Sequence, residues 1–431
     1  MLRLGVVTVD ITPEEPLPLA GFAHRHSVFE SIDRPLFAKV WLFENGGAAG
    51  LEQERALVVQ ADLIWWGSER VTKLALAIRE RWGLPESSVI LHASHTHFGP
   101  QTSCLFTPSL GLPDVRYTRL LEMKLMDGIA EAFGRLEPVT IERGSGECRI
   151  GIHRRRRNGM KMTMAPNPEG PSDPEVVVIR FRASSGKVAG VWFHYACHPT
   201  TTGDNSVTSE FPGVAMEIVE RAIGEGAAAS FLQGCCGDIR PALIRDGQFY
   251  RGDTTDIVEL GRTLADEVIH VLQSPMEVLP CSSIRSERLT IALPFQRVPG
   301  IEDLQNEAAR GGISGEWSRL LLSYPERLLP SIPLELSCLN LAQGLSLLAV
   351  NAETVVEYGL FAKSLAGGVL PLPYSNGMIG YLPTESQLRE GGYESEESGY
   401  YFGLPSPFAH SVEQLVKGGA ALLLQRGISR L

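Results

Sequence analysis

Ala56-Leu57-Val58-Val59-Gln60-Ala61-Asp62 is a β-rich apolar run, followed by a stretch over 68–82 with apolar residues at helical spacing and a second short strand, Val89-Ile90-Leu91. Strand, helix and strand in close succession point to an α/β fold, and the rest of the chain keeps mixing the two signals. An amphipathic helix over 117–133 carries a broad apolar face of Leu120, Leu121, Met123, Leu125, Met126 and Ile129. Residues 175–181 and 188–195 read as a hairpin joined through Ser184-Ser185-Gly186. A helix over 211–223 opens at Pro212, and 228–233 is a buried strand. Further on, the pattern predicts helices over 256–272, 354–365 and 412–426, and a strand over 284–293. It also predicts a helical stretch over 302–324 interrupted at Gly311-Gly312, and two apolar strands within 334–350 that turn at Gly344. No repeat or flexible linker breaks the pattern. The expected architecture is mixed β-sheets flanked by helices, in a single domain over 1–431.

Composition bounds the function. With 431 residues, 44% apolar and 21% charged, the chain is an ordinary globular one, neither disordered nor coiled coil. The balance of 39 basic and 50 acidic side chains, a net charge of −11, gives no global field for nucleic acid, so a small-molecule partner is expected. No run approaches the roughly 18 apolar residues of a membrane helix, so no stable membrane insertion is expected, and homo-oligomerisation stays open. Residues 2–9 alternate like a strand and lack the apolar core of a signal peptide. The seven cysteines form neither CxxC pairs nor a disulfide framework, so buried free thiols and a cytoplasmic location are expected. The pair Cys235-Cys236 reads as a core strand end or as a soft-metal site.

Histidines at strand ends carry the chemistry. Ser94-His95-Thr96-His97-Phe98-Gly99-Pro100 follows the strand at 89–91, and its two histidines, one residue apart, can converge on one point. Phe193-His194-Tyr195-Ala196-Cys197-His198-Pro199-Thr200 closes a second strand. Neutral imidazole is the commonest metal ligand, and a zinc site needs a further donor. Asp62, Asp204, Glu210, Asp238 and Glu353 are the candidate carboxylates. Glu353 follows the apolar strand 347–350 and precedes a helix, where it is either a helix cap or an inward-facing ligand.

These segments resemble the neutral ceramidases and their relatives. Val9-Asp10-Ile11-Thr12-Pro13 with Leu19-Ala20-Gly21-Phe22-Ala23 is similar to the family's opening. Ser94 to Pro100 resembles its Thr-His-Thr-His-Ser-Gly-Pro motif, Ile152-His153-Arg154-Arg155 falls at its Asn-Arg motif, and His198-Pro199-Thr200 matches its His-Pro-Thr. Gly234 to Pro241 resembles the Gly-Asp-Val-Ser-Pro region, and Asn351-Ala352-Glu353 the Pro-Gly-Glu motif. Gly380-Tyr381-Leu382-Pro383-Thr384 with Tyr393-Glu394 is similar to Gly-Tyr-Val-Thr-Thr…Tyr-Glu. The order is colinear over most of the chain.

The resemblance implies a neutral-ceramidase-like catalytic domain with a Zn²⁺ held by His95, His198, Glu353 and Tyr381. It implies His97 as proton shuttle, with Arg154 and Tyr393 holding the scissile group and stabilising an oxyanion. Asp238 is expected to support a ligand histidine from behind, His194 to do the same or to pack in the core, and His24 and His26 to line the substrate site. Arg240 stands where the family has a serine, so a mechanism that needs that serine does not transfer. The chain also ends near the helix at 415–426, without the C-terminal β-sandwich of the family's secreted members. If Arg154 faces the metal, Arg156 shares its face in extended backbone and joins Arg240 in an anion-binding pocket. The expected function is zinc-dependent hydrolysis of an amide or related acyl bond in a small polar or acidic molecule rather than ceramide. The alternatives are a carbohydrate-active metalloenzyme using the same site and a ligand-binding relative without catalysis.

Overall fold

The structure, a computed structural model, describes residues 1–46, 54–224 and 226–428. Eight strands form the main path of the larger sheet: β1 (Leu2–Asp10), β2 (Phe37–Asn45), β3 (Glu54–Ala61), β4 (Val89–Ala93), β5 (Glu137–Glu147), β6 (Glu175–Ala183), β7 (Val188–Tyr195) and β8 (Ala228–Gln233). Their order is β8-β7-β6-β5-β1-β2-β3-β4, with the short strand Glu277–Leu279 pairing β5 from the side. A second sheet runs β9 (Cys281–Pro294), β10 (Ser331–Ala342), β11 (Leu345–Val350) and β12 (Val369–Leu372). Both sheets are mixed: β3/β4, β7/β8 and β11/β12 are parallel, whereas the other ladders between named strands are antiparallel.

Several of these strands are apolar on both faces because both faces are covered. In β6, Val177, Ile179 and Phe181 point toward the second sheet, where Leu339, Leu341, Leu347 and Leu370 meet them. Val176 and Val178 point the other way, into the cluster that includes the helices. Helices α1 (Ser68–Trp82), α2 (Val115–Gly134), α3 (Glu210–Ile223) and α4 (Thr254–Gln273) contribute to that cluster, as do α5 (Val356–Leu365) and α6 (Val412–Ile428). Of these, α2 to α4 pack on the larger sheet and α5 and α6 on the smaller, giving helix, sheet, sheet and helix layers. Between the sheets, Trp41, Phe43, Phe181 and Trp192 form an aromatic knot with ring centroids 4.9–5.6 Å apart. Gly190 makes room for it, since a Cβ there would meet the Trp41 ring at 2.5 Å.

Three features differ in detail from expectation. The helical stretch 302–324 is two helices, Ile301–Ala308 and Gly312–Ser323, parted where Gly311 and Gly312 adopt φ of +78° and +66°. Helix α5 starts at Val356, not 354, because Glu353–Thr354 pairs in parallel with Tyr381–Leu382. Five cysteines are buried, but Cys104 and Cys281 are exposed. Among the described residues no helix is long and apolar enough to cross a membrane.

The connections that carry function leave the carboxyl ends of β3, β4, β7, β8 and β11, the end at which open α/β sheets bind ligands. The segment after β12 stitches the two sheets there. Ala93 N–H donates to Tyr374 C=O at 3.1 Å and Asn376 N–H to Leu91 C=O at 2.8 Å, while Tyr374 N–H reaches Ala352 C=O at 3.1 Å. The edge strand β4 of one sheet is thereby bound to the turn after β11 of the other.

Candidate active site

His95 leaves the end of β4 with φ +65°, a left-handed conformation that costs a residue with a Cβ about 1–3 kcal/mol. Its Nδ1 lies 2.9 Å from Ile64 C=O, and Nδ1 of His198, beyond β7, lies 2.9 Å from Ile239 C=O. A carbonyl only accepts, so each Nδ1 carries the hydrogen and each Nε2 keeps a bare lone pair. Both lone pairs face one carboxylate oxygen: Glu353 Oε1 is 3.2 Å from His95 Nε2 and 2.8 Å from His198 Nε2. His198 Nε2 is buried and has no hydrogen-bond partner among the described residues. Electron pairs pointed at one another at this distance repel unless a cation sits among them. His97 adds a third imidazole, its Nε2 3.3 Å from His95 Nε2, and the ring nitrogens of the three histidines fall within 4.8 Å of one another.

The electrostatics agree with that arrangement. Burial lowers the His198 imidazole to about 4, with Arg154 adding to the effect, so it is neutral and ligating near pH 7. Burial by itself would raise the Glu353 carboxyl, and positive charge at the His95–His198 cluster is what outweighs burial and holds it well below the usual carboxylate range, a charge that a bound cation would supply where the imidazoles are neutral. Neutral imidazoles and a carboxylate are an N/O donor set that fits a divalent cation of the zinc type.

The two ligand loops share one clamp. Gln233, the last residue of β8, donates through Nε2 to Cys197 C=O at 2.9 Å and to Ser94 C=O at 3.2 Å, and its Oε1 accepts from Cys197 N–H. Those residues immediately precede His198 and His95. The Gln233 N–H itself is held by His92 Nε2 at 2.9 Å.

On the other side, the pairing of Glu353–Thr354 with Tyr381–Leu382 sets Tyr381 beside Glu353. Arg154 donates from Nη2 to Tyr381 Oη at 3.0 Å and from Nε to Glu394 Oε1 at 2.8 Å. The second Glu394 oxygen accepts from Arg155 Nη1 at 2.6 Å. Glu394 and Tyr393 come from a π-helical turn, Tyr393–Glu397, a local irregularity common at functional sites. The Arg154 guanidinium carbon lies 5.7 Å from both the Tyr381 and Tyr393 ring centroids.

These groups border a cavity of about 270 Å³ lined by His97, His198, Arg154, Tyr381 and Tyr393, and by His24, Arg240 and Arg251 toward its mouth. His95 and Glu353 lie behind His97 and His198. Nine of the residues singled out in the sequence thus share one place: His95, His97, His198, Glu353, Tyr381, Arg154, Tyr393, Arg240 and His24.

Four stand outside that place. His26 is exposed and outside the cavity lining. Arg156 is exposed on the strand Arg155–Asn158, because Arg154 and Arg155 both turn inward onto Glu394 and break the alternation that would have placed Arg156. Asp238 holds His153 Nε2 at 3.2 Å, Val356 N–H at 2.9 Å and Gln387 Nε2 at 2.9 Å, so it braces the strand under Arg154 and helix α5, not a ligand histidine. His194 is a core residue bound to Pro371 C=O at 3.0 Å.

Sequence reasoning missed Gln233, Glu394, Tyr374, Arg25 and Arg251. Arg25 donates to His97 C=O at 2.6 Å and stacks on Phe22 and Phe98. Glu394 was visible in the Tyr393-Glu394 pair and Arg25 between two noted histidines, whereas nothing local marks Gln233, Tyr374 or Arg251.

The chain shares its fold with the neutral ceramidase of Pseudomonas aeruginosa, at a TM-score of 0.76 and 18% identity, covering 99% of this chain and 75% of that one. A structure described as ceramidase complexed with C2 matches with the same score, identity and coverage. No protein-family model and no curated protein matches the sequence. The fold implied by the motif order is therefore the fold the chain has.

Proposed function

We propose that the protein is a zinc-dependent hydrolase cleaving an amide or related acyl bond of a small polar or acidic substrate rather than of a two-chain lipid. The observation that carries this reading is the meeting of two bare Nε2 lone pairs, from His95 and His198, with one oxygen of Glu353. His95, His198 and Glu353 would hold the ion, with Tyr381 beside Glu353 as a further donor. When bound, the ion would supply Lewis acidity, polarising a carbonyl and lowering the pKa of water.

The chain's own residues do the rest. Desolvation and the neighbouring imidazoles hold His97 well below the ordinary histidine range, so it is a neutral base on the cavity wall. From there it takes a proton from the attacking water and delivers it to the leaving group. Arg154, fixed by Glu394 and Tyr381, and the Tyr393 hydroxyl are the donors for negative charge developing on the carbonyl oxygen. The cavity, at about 270 Å³, is at the small end of ligand pockets and suits a compact substrate. Phe22, Tyr381, Tyr393 and Tyr401 on its walls favour a second reading, a glycoside or sugar derivative stacked on aromatic faces.

The zinc-loaded protein should turn over members of a panel of soluble acyl amides and esters, and His97→Ala should abolish turnover while zinc stays bound. Turnover of glycosides alone would select the second reading. Turnover of ceramide vesicles with none of the soluble compounds would overturn the substrate assignment. Inertness of the metal-loaded protein toward all of them would leave a ligand-binding protein.

A further inference from the structure

The cavity has a charge imbalance that the proposed chemistry does not use. Three arginines line it (Arg154, Arg240 and Arg251), and among the described residues no acidic side chain does, in a chain of net charge −11. Arg154 is ion-paired with Glu394, which it shares with Arg155. The other two form no ion pair among the described residues. Arg240 has a buried Nε without a hydrogen-bond partner, and its guanidinium carbon rests 4.4 Å from the Phe249 ring centroid. Arg251 donates from Nη1 to Thr202 C=O at 2.9 Å and rests 4.7 Å from the Phe22 centroid. Desolvating an unpaired guanidinium is unfavourable, which bears on the half-buried Arg240; Arg251 is the more exposed of the two, and both rest on aromatic rings and line the same cavity. Burial, followed by the fields of Arg154 and Arg251, lowers the Arg240 guanidinium to about 10, which leaves it charged near pH 7 but short of a counter-charge.

We propose that Arg240 and Arg251 form an oxyanion subsite that binds a carboxylate, phosphate or sulfate group of the substrate. Guanidinium forks match the paired oxygens of all three groups. Arg240 directly follows Ile239, whose carbonyl holds His198 Nδ1, so the subsite adjoins the histidine cluster. The anion then lies a few bonds from the group that reacts, and the substrate class is a compact acyl compound carrying its own negative charge. Naming the anion as part of a substrate rests on the hydrolase reading, whereas its binding does not.

Calorimetric titration of the wild-type protein at low ionic strength with inorganic phosphate, sulfate and acetate distinguishes the three anions. A second titration compares an N-acyl amino acid with its neutral carboxamide. The expected result is saturable binding of at least one oxyanion and about tenfold or greater preference for the charged member of the pair. Arg240→Gln and Arg251→Gln should each reduce that preference, and Arg240→Lys should restore part of it, with metal content and the anion-free melting midpoint unchanged. Absence of saturable anion binding to the wild type, or a preference that survives in the double Gln variant, would overturn the subsite. Anion binding without turnover of any acyl compound would remove the hydrolase reading and leave the subsite standing. Turnover without anion binding would do the reverse.

Discussion

The imidazole of His95 lies nearly flat on the ring of Tyr374, with centroids 3.9 Å apart and planes 21° apart, and both residues hold left-handed backbone conformations, at φ +65° and +56°. Tyr374 also places its hydroxyl 3.1 Å from Cys236 Sγ and 3.4 Å from Glu353 Oε1. One fully buried ring therefore orients two of the groups that would hold the ion. Tyr374→Phe should keep the stack, with a stability loss of about 1 kcal/mol in a urea titration. Tyr374→Ala should lose about 3–5 kcal/mol through the cavity it leaves, and metal affinity should fall in a competitive chelator titration.

Gln233 is expected to act as a positioning residue for both ligand loops. Gln233→Ala leaves Ser94 and Cys197 carbonyls unpaired in the interior, a loss of about 2–4 kcal/mol. Supporting groups behind metal ligands typically change affinity about 10–100-fold, and the same titration reads that change. Unchanged metal affinity in a folded Gln233→Ala variant would show that the loops hold their ligands without the clamp.

Glu394 is shared by two buried guanidinium groups, Arg154 and Arg155, and Glu390 supplies the second carboxylate on Arg155. Glu394→Ala should destabilise the protein by about 3–5 kcal/mol, because the Arg154 charge stays buried without a carboxylate and Arg155 keeps only Glu390. Loss of activity should exceed what unfolding explains, since Arg154 loses its anchor; kcat measured on the folded fraction checks this.

Glu210 should make stability depend on pH. Burial raises its carboxyl from 4.5 to about 7, against the pull of the Thr201 and Phe211 N–H groups. The folded state binds this proton more tightly than the unfolded chain does. Its contribution is fully present below pH 4.5 and is lost as pH rises through 7, for a total of about 3 kcal/mol. Urea titrations of wild type and Glu210→Gln across that window should converge at high pH less well than at low pH, with the wild type the more pH-sensitive of the two. Parallel profiles would assign Glu210 an ordinary carboxyl.

Much of the layout could be read in the chain because strand ends announce themselves. The apolar runs 56–62, 89–91 and 188–195 give strands, and the histidines just beyond the last two converge as their spacing allows. The ambiguity at Glu353 resolved toward the histidines through a pairing with Tyr381, 28 residues away in sequence, that no local pattern contains. Arg156 was misplaced because strict alternation fails where two successive arginines share one carboxylate. Gln233 and Arg251 were illegible for a similar reason. Their roles depend on loops far apart in sequence that meet only in the fold, Ser94 and Cys197 for Gln233 and Thr202 and Phe22 for Arg251.

The proposed chemistry depends most directly on a cation among His95, His198 and Glu353, and the metal content of the purified protein tests it. Mass spectrometry of the wild type should find about one equivalent of zinc per chain, with chelator lowering the melting midpoint, and Glu353→Ala should lose the metal while keeping its secondary structure. Less than about a few tenths of an equivalent after incubation with zinc, with a melting midpoint indifferent to chelator, would contradict it.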